Sequence, residues 1–153
     1  IPSEMGQLST IETMHLYQNK ITGTIPSEMG QLSTIETMRL GYNKLVGSIP
    51  TNIMNLHNMT RLSISANSLI GSIPSKIGEC KALEKLWLDS NSLTGSIPTE
   101  IGSLGALEVL RVEYNKLTGS IPSYLGNCPN LEGISIFYNR GIKGSIPSEV
   151  GKL

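Results

Sequence analysis

Asp89 and Glu113 stand 24 positions apart in the sequence. If that interval places them on neighbouring parallel strands, their carboxyl groups lie roughly 5 Å apart. Retaining glycoside hydrolysis uses two carboxyls at about 5–5.5 Å, but it also needs a deep cleft for the sugar. A shared cation is a second use for such a pair, although calcium asks for six or more oxygens. The favoured reading is a third one: both are rim charges that select a cationic group on a partner, with Lys85 and Arg111 partly neutralising them. The remaining catalytic inventory is thin. Asp89 is the only aspartate, and neither His15 nor His57 falls near a cysteine at metal-ligand spacing. No glycine-rich phosphate loop opens a long helix. The residues point to a non-enzymatic protein with no cofactor and no metal site.

The aromatic and arginine residues are more informative. Tyr17, Tyr42, Trp87, Tyr114, Phe137 and Tyr138 are six of the seven aromatics, and Arg39, Arg61 and Arg111 are three of the four arginines. All nine fall in four columns of a repeat, at positions that a short strand would turn outward. Trp, Tyr and Arg dominate the energetics of protein interfaces, so their concentration on one face reads as a binding surface for a protein or peptide. The plainer explanation is that strands favour aromatics wherever they occur. Trp87 and Arg111 share a column in adjacent repeats, close enough for a cation–π contact. Tyr114 and Tyr138 are neighbours in another column.

The elements that position these residues follow from the repeat. Ile-Pro recurs at 1, 25, 49, 73, 97, 121 and 146, a period of 24 with one extra residue in the last interval. Asn19, Asn43, Asn67, Asn91, Asn115 and Asn139 stay in register, which places the insertion after Asn139, at Gly141. A fixed period of this size means a solenoid or a related array. Paired apolar residues such as Leu86 and Leu88, or Leu110 and Val112, alternate with period two and mark a short strand with one face buried. Aliphatic columns fill the core, which explains why aromatics make up only 5% of 153 residues. The asparagine amide offers two donors and an acceptor, enough to tie its own turn to the neighbouring coil. Proline after each Ile presets φ for a short helical turn. A glycine column through Gly6, Gly30, Gly78, Gly102, Gly126 and Gly151 is interrupted by Met54, so residues 51–60 are expected to be the least regular.

The pattern Leu-x-x-Leu-x-Leu-x-x-Asn-x-Leu-x-Gly-x-Ile-Pro, best seen from Leu107 to Pro122, resembles the plant-type leucine-rich repeat of receptor-kinase ectodomains and polygalacturonase-inhibiting proteins. The resemblance covers the whole chain. It implies an α/β solenoid: a right-handed superhelix with a concave parallel β-sheet, short helical turns on the convex side and a small second sheet. It also implies an extracellular or cell-surface setting and a protein or peptide ligand on the concave sheet.

Residues 1–153 therefore read as one array of about six 24-residue repeats. Family caps carry paired cysteines that do not appear here, so the array is expected to be an uncapped piece of a longer one, in end-to-end contact with further repeats or another subunit. Twelve basic residues balance twelve acidic ones, which argues against a nucleic-acid partner. No apolar run approaches the roughly 18 residues of a membrane helix, so direct membrane insertion is not expected. Cys80 and Cys128 occupy one column two repeats apart, about 10 Å between Cα atoms by strand spacing. A disulfide needs less than about 7 Å, so free buried thiols are expected. Asn58-Met59-Thr60 is a glycosylation sequon. Residues 1–24 and 25–48 agree at 18 of 24 positions, as after a recent duplication. A structural role in a matrix or larger assembly is the main alternative to recognition. Ser and Thr flanking every Ile-Pro leave a smaller one, an ice- or carbohydrate-binding hydroxyl ladder; the simpler view is that they satisfy backbone groups at turns.

Overall fold

The computed structural model describes residues 1–152, so Leu153, expected in the column of Leu32 and Leu104, lies outside the described residues. Each repeat contributes one strand to a six-stranded parallel sheet: β1 (Thr13–His15), β3 (Thr37–Arg39), β5 (Arg61–Ser63), β7 (Lys85–Trp87), β8 (Val109–Arg111) and β10 (Gly133–Ser135), paired in chain order. The register steps by one repeat each time, as in Thr13↔Thr37 and Trp87↔Arg111. Although each strand is three residues long, the ladder continues past it. The Leu16 amide donates to the Arg39 carbonyl at 2.8 Å and the Gln18 amide to the Gly41 carbonyl at 3.0 Å. A second line of pairing joins β2 (Thr22–Gly23), β4 (Lys44–Ser48) and β6 (Ser68–Ile70), and, further along, β9 (Thr118–Gly119) with β11 (Gly141–Ile142). The Gly141↔Thr118 partnership is offset by 23 residues where Thr22↔Lys44 is offset by 22. The extra residue is thus absorbed between Asn139 and Gly141, within a turn closed by the Ile142 amide on the Asn139 carbonyl at 3.1 Å.

Opposite the main sheet, a five-residue 3-10 turn follows each Ile-Pro, as at Ser27–Gln31 and Thr99–Ser103. The proline stands one position before the turn, with φ near −66° at Pro98, and its carbonyl accepts the first turn bond. No side chain caps these turns. Where Glu or Asn comes next, the hydroxyl after proline bonds that side chain instead, as Ser27 Oγ does with Glu28. Between the two layers, Leu32, Leu62, Leu86, Leu110 and Ile101 are completely buried, each contributing about 1.5–3 kcal/mol.

The interrupted glycine column has a physical reason. A Cβ on Gly102 would lie 2.5 Å from the Tyr124 carbonyl oxygen of the next coil. Met54 carries the Cβ that this column excludes, yet Thr51–Asn55 forms the same 3-10 turn as its counterparts, so the expected irregularity does not occur. Met54 is 1% exposed, and its sulfur lies 3.8 Å from Cys80 Sγ, which also donates to the Met54 carbonyl at 3.5 Å. Cys80 stands in a leucine column, so the smaller residue in one coil makes room for the larger one in the coil before it. Both cysteines are free and buried, and burial pushes the Cys80 thiol from 9.0 up to about 11.

This exchange is expected to be energetically coupled. Cys80→Leu should overpack the site by about 1–3 kcal/mol, and Met54→Gly should leave a cavity. The double variant should recover at least about 1 kcal/mol relative to the sum in urea unfolding. Strict additivity would mean that the two residues do not share one space.

Candidate functional site

The outward face of the six-stranded sheet collects the residues expected to bind. Tyr17, Arg39, Tyr42, Trp87, Asp89 and Arg111 line a single shallow depression of about 240 Å³. Its floor is made by Gly41, Ser63 and Ser65, which no chemical type marks out in the columns. Their signal is size: small residues in the second and third repeats stand where neighbouring repeats carry Tyr, Trp, Asp or Arg. Gln18 completes the rim.

One electrostatic expectation is corrected. Asp89 and Glu113 are 5% and 2% exposed, so they are buried beneath the face and are not rim charges. Glu113 Oε1 accepts from Arg111 Nη2 at 2.7 Å and from Nε at 2.9 Å. Asp89 Oδ1 lies 3.8 Å from Arg111 Nε and accepts from Ser65 Oγ at 2.5 Å. Glu113 Oε1 is therefore committed to Arg111, while Oε2 has no hydrogen-bond partner among the described residues. Asp89 is held chiefly by the Ser65 and Ser90 hydroxyls, with Arg111 at ion-pair distance. The hydrogen bond to Glu113 raises the pKa of the Arg111 guanidinium still further. Arg111 in turn lies 5.9 Å from the Trp87 ring centroid, the expected cation–π geometry. Lys85 neutralises neither carboxylate; it pairs with Glu108 at 3.8 Å. Arg61 stands beside Lys85 on the neighbouring strand, outside the depression.

Tyr114, Phe137 and Tyr138 form a separate aromatic cluster toward the last repeat. The Tyr114 and Tyr138 rings stack at 4.6 Å and 11°, and Phe137 meets Tyr114 edge-on at 5.1 Å. Asn58, the sequon residue, is exposed in the coil before β5, and its amide donates to the Ser33 carbonyl at 2.9 Å.

The explanation of these aromatics by strand propensity fails for five of the six, since only Trp87 lies within a strand. Tyr42, Tyr114 and Tyr138 occupy the position before the column asparagine, where φ is 56°, 52° and 54°. The strand alternation stops one residue earlier, and the left-handed conformation is what holds this position outward. A bulky residue there costs about 1–2 kcal/mol relative to ordinary backbone, and these side chains remain 60%, 49% and 64% exposed. Strand propensity does not reward them, and among the described residues Tyr42 has no aromatic partner to offset the cost, whereas Tyr114 and Tyr138 stack on each other. Within the duplicated pair, the first two repeats differ at three of the four outward positions (His15/Arg39, Tyr17/Gly41 and Gln18/Tyr42) but at only three of the other twenty.

Comparisons with known proteins agree with this architecture. The Leucine Rich Repeat family model matches residues 10–32, 82–104 and 106–128. The LRR ectodomain of the receptor kinase SOBIR1 from Arabidopsis thaliana is 30% identical, with a TM-score of 0.82 over 88% of this chain and 72% of that one. The chain is a plant-type leucine-rich repeat protein. The crystal structure of a TDR receptor superimposes with a TM-score of 0.98 at 35% identity over 100% of this leucine-rich repeat chain. The Arabidopsis receptor kinase HAESA, solved with the peptide hormone IDA and the co-receptor SERK1, gives a TM-score of 0.92 at 35% identity over 99% of it. This repeat array spans 26% of the length of each of those two chains. No curated protein matches it by sequence.

Because the outward tyrosines sit in left-handed backbone, Tyr42→Gly is expected to leave stability unchanged or raise it by up to about 1 kcal/mol in chemical unfolding. A loss larger than about 1 kcal/mol would show that Tyr42 serves the frame after all.

Proposed function

We propose that this leucine-rich repeat chain is a non-enzymatic recognition module that binds a protein or peptide across the outward face of its six-stranded sheet. The observation that carries this reading is the placement of Tyr42, Tyr114 and Tyr138, largely exposed in left-handed backbone that a bulky residue occupies at a cost. The divergence of the two near-identical repeats on that face supports it. So does the likeness to HAESA, whose structure contains a peptide hormone and a co-receptor. The same likeness supports an extracellular or cell-surface setting, as a receptor ectodomain or an inhibitor. In such a setting Asn58 would be an accessible glycan acceptor.

The test is selection of a displayed random-peptide library on the intact chain, followed by affinity measurement on a Tyr42→Asn, Tyr114→Asn, Tyr138→Asn variant. Asparagine tolerates the left-handed conformation, so the variant should melt like the parent. Selected peptides should lose at least about 100-fold in affinity, as expected when interface anchors are removed. Peptides that bind both proteins equally would place recognition elsewhere.

A second reading has an observation of its own. The hydroxyls before each Ile, such as Ser48, Ser72, Ser96 and Ser120, are exposed, and no hydrogen bond engages them among the described residues. The view that they satisfy turn backbone therefore lacks support, and a regular hydroxyl column remains open to ice or carbohydrate. Thermal hysteresis in a freezing assay is the readout; its absence removes the ice-binding form of this reading.

A further inference from the structure

We propose that copies of this chain associate side by side, the basic flank of one solenoid docking on the acidic flank of the next. The residue immediately before each strand of the main sheet is acidic in five repeats: Glu12, Glu36, Glu84, Glu108 and Glu132, with Thr60 in the third. The residue after the column asparagine is basic in four: Lys20, Lys44, Lys116 and Arg140, with Ser68 and Ser92 between them. No carboxylate lies between the asparagine and the Ile-Pro of any repeat, so this second flank carries one sign of charge only. The acidic column stands where the chain enters the sheet and the basic one where it leaves, eight residues later along near-extended backbone, roughly 20–25 Å away. The flanks therefore cannot neutralise each other within one chain. Among the described residues no ion pair engages any of the four cations, nor Glu12, Glu36, Glu84 or Glu132; Glu108 alone meets Lys85.

Each column repels itself. Lys116 and Arg140, or Glu108 and Glu132, are one coil apart, about 5 Å by strand spacing, and like charges at that separation oppose folding. A column of opposite sign relieves both. The pitch matches because both columns stand on one backbone ladder: the Glu36, Glu84 and Glu132 amides each donate to the carbonyl one repeat back at 2.8 Å. A second copy, translated sideways, presents its acidic column at the same pitch. The occupancy matches as well. Cations stand in the first, second, fifth and sixth coils, glutamates stand in all four of these, and the third coil is neutral on both flanks, with Thr60 and Ser68. Level docking therefore opposes four pairs of unlike charge, whereas a slip of one coil leaves two or three. A single exposed ion pair is weak, so the association depends on this register. Val46 and Ile70, exposed on the basic flank in the second and third coils, add an apolar part to the contact. A net charge of zero removes the overall repulsion between copies. Because translation leaves both sheets facing the same way, the outward faces stay open. The contact joins unlike surfaces, so it continues from copy to copy and does not close at a dimer.

Analytical ultracentrifugation of the intact chain tests this. The chain is made without glycosylation, because Asn58 stands two residues before Thr60 on the acidic flank. In about 20 mM salt the weight-average mass should at least double on concentration and keep rising, and in about 500 mM salt it should return to that of a single chain. Two variants reverse charges at exposed positions: Lys20→Glu with Lys44→Glu, and Glu12→Lys with Glu36→Lys. Each variant alone sets like charges against each other and should stay monomeric. An equal mixture of the two restores unlike charges at every contact and should associate as the parent does; melting curves check that both fold. A parent that stays monomeric in low salt would overturn the proposal, and so would a mixture that fails to associate. Association that survives high salt and both reversals would assign the contact to the apolar ends of the array and overturn it equally. Poly-glutamate added to a monomeric parent separates a further outcome. Binding that is lost in Lys20→Glu with Lys44→Glu would give the basic flank to a different acidic partner, and side-by-side docking would be wrong.

Discussion

One side chain per repeat holds the coils together. The Asn115 amide nitrogen donates to the carbonyls of Val112 and Glu113 in its own turn and to Leu88 in the coil before, at 3.0 to 3.2 Å. Its oxygen accepts the Leu93 amide at 2.9 Å. Asn43, Asn67 and Asn91 repeat the same set, each bonding one coil to its predecessor. Among the described residues Asn19 bonds only the carbonyls of Leu16 and Tyr17 in its own turn. These backbone groups are needed where the chain leaves the sheet, and leaving them unpaired inside the solenoid would cost about 1–3 kcal/mol each. The turn that brings the asparagine inward puts the residue before it at φ between 51° and 58° in all six repeats.

That constraint separates the frame from the face. Leucine columns, asparagines and the close-approach glycines are fixed by contacts with the next coil, and Met54 and Cys80 illustrate how residues in successive coils share one space. The outward positions carry no such obligation. They are free to vary without disturbing the register, and the two near-identical repeats differ chiefly there. The same geometry explains how one shallow surface holds a hydrogen-bonded polar centre around Arg111 and an apolar cluster around Tyr114. Both stand on one rigid ladder of backbone pairing, so their spacing is set by the solenoid and not by their own packing.

The frame was legible in the sequence because each of its requirements repeats. Ile-Pro, the asparagine and the aliphatic alternation gave the strands, the turns and even the location of the extra residue near Gly141. The site was legible only as a set of types. Columns identify Trp87 and Arg111 as neighbours, but they cannot show that Glu113 folds back beneath Arg111 instead of projecting to the rim. That depends on a guanidinium two residues away offering a better partner than water. Nor does the asparagine pattern announce the positive φ of Tyr42, since the alternation that defines a strand stops one residue before it. The floor of Gly41, Ser63 and Ser65 is not legible in the columns, because a depression is made by missing atoms and small residues carry no distinctive chemistry.

The most direct test is a saturation substitution scan of the whole chain with two separate readouts, folding by protease resistance and binding of a selected peptide. The account predicts that losses of folding trace the leucine, asparagine and close-approach glycine columns, while losses of binding alone map to the outward sheet positions around Arg39, Tyr42, Trp87 and Tyr114. Binding-only losses scattered over the 3-10 turns, or gathered along the serine column before Ile-Pro, would contradict it.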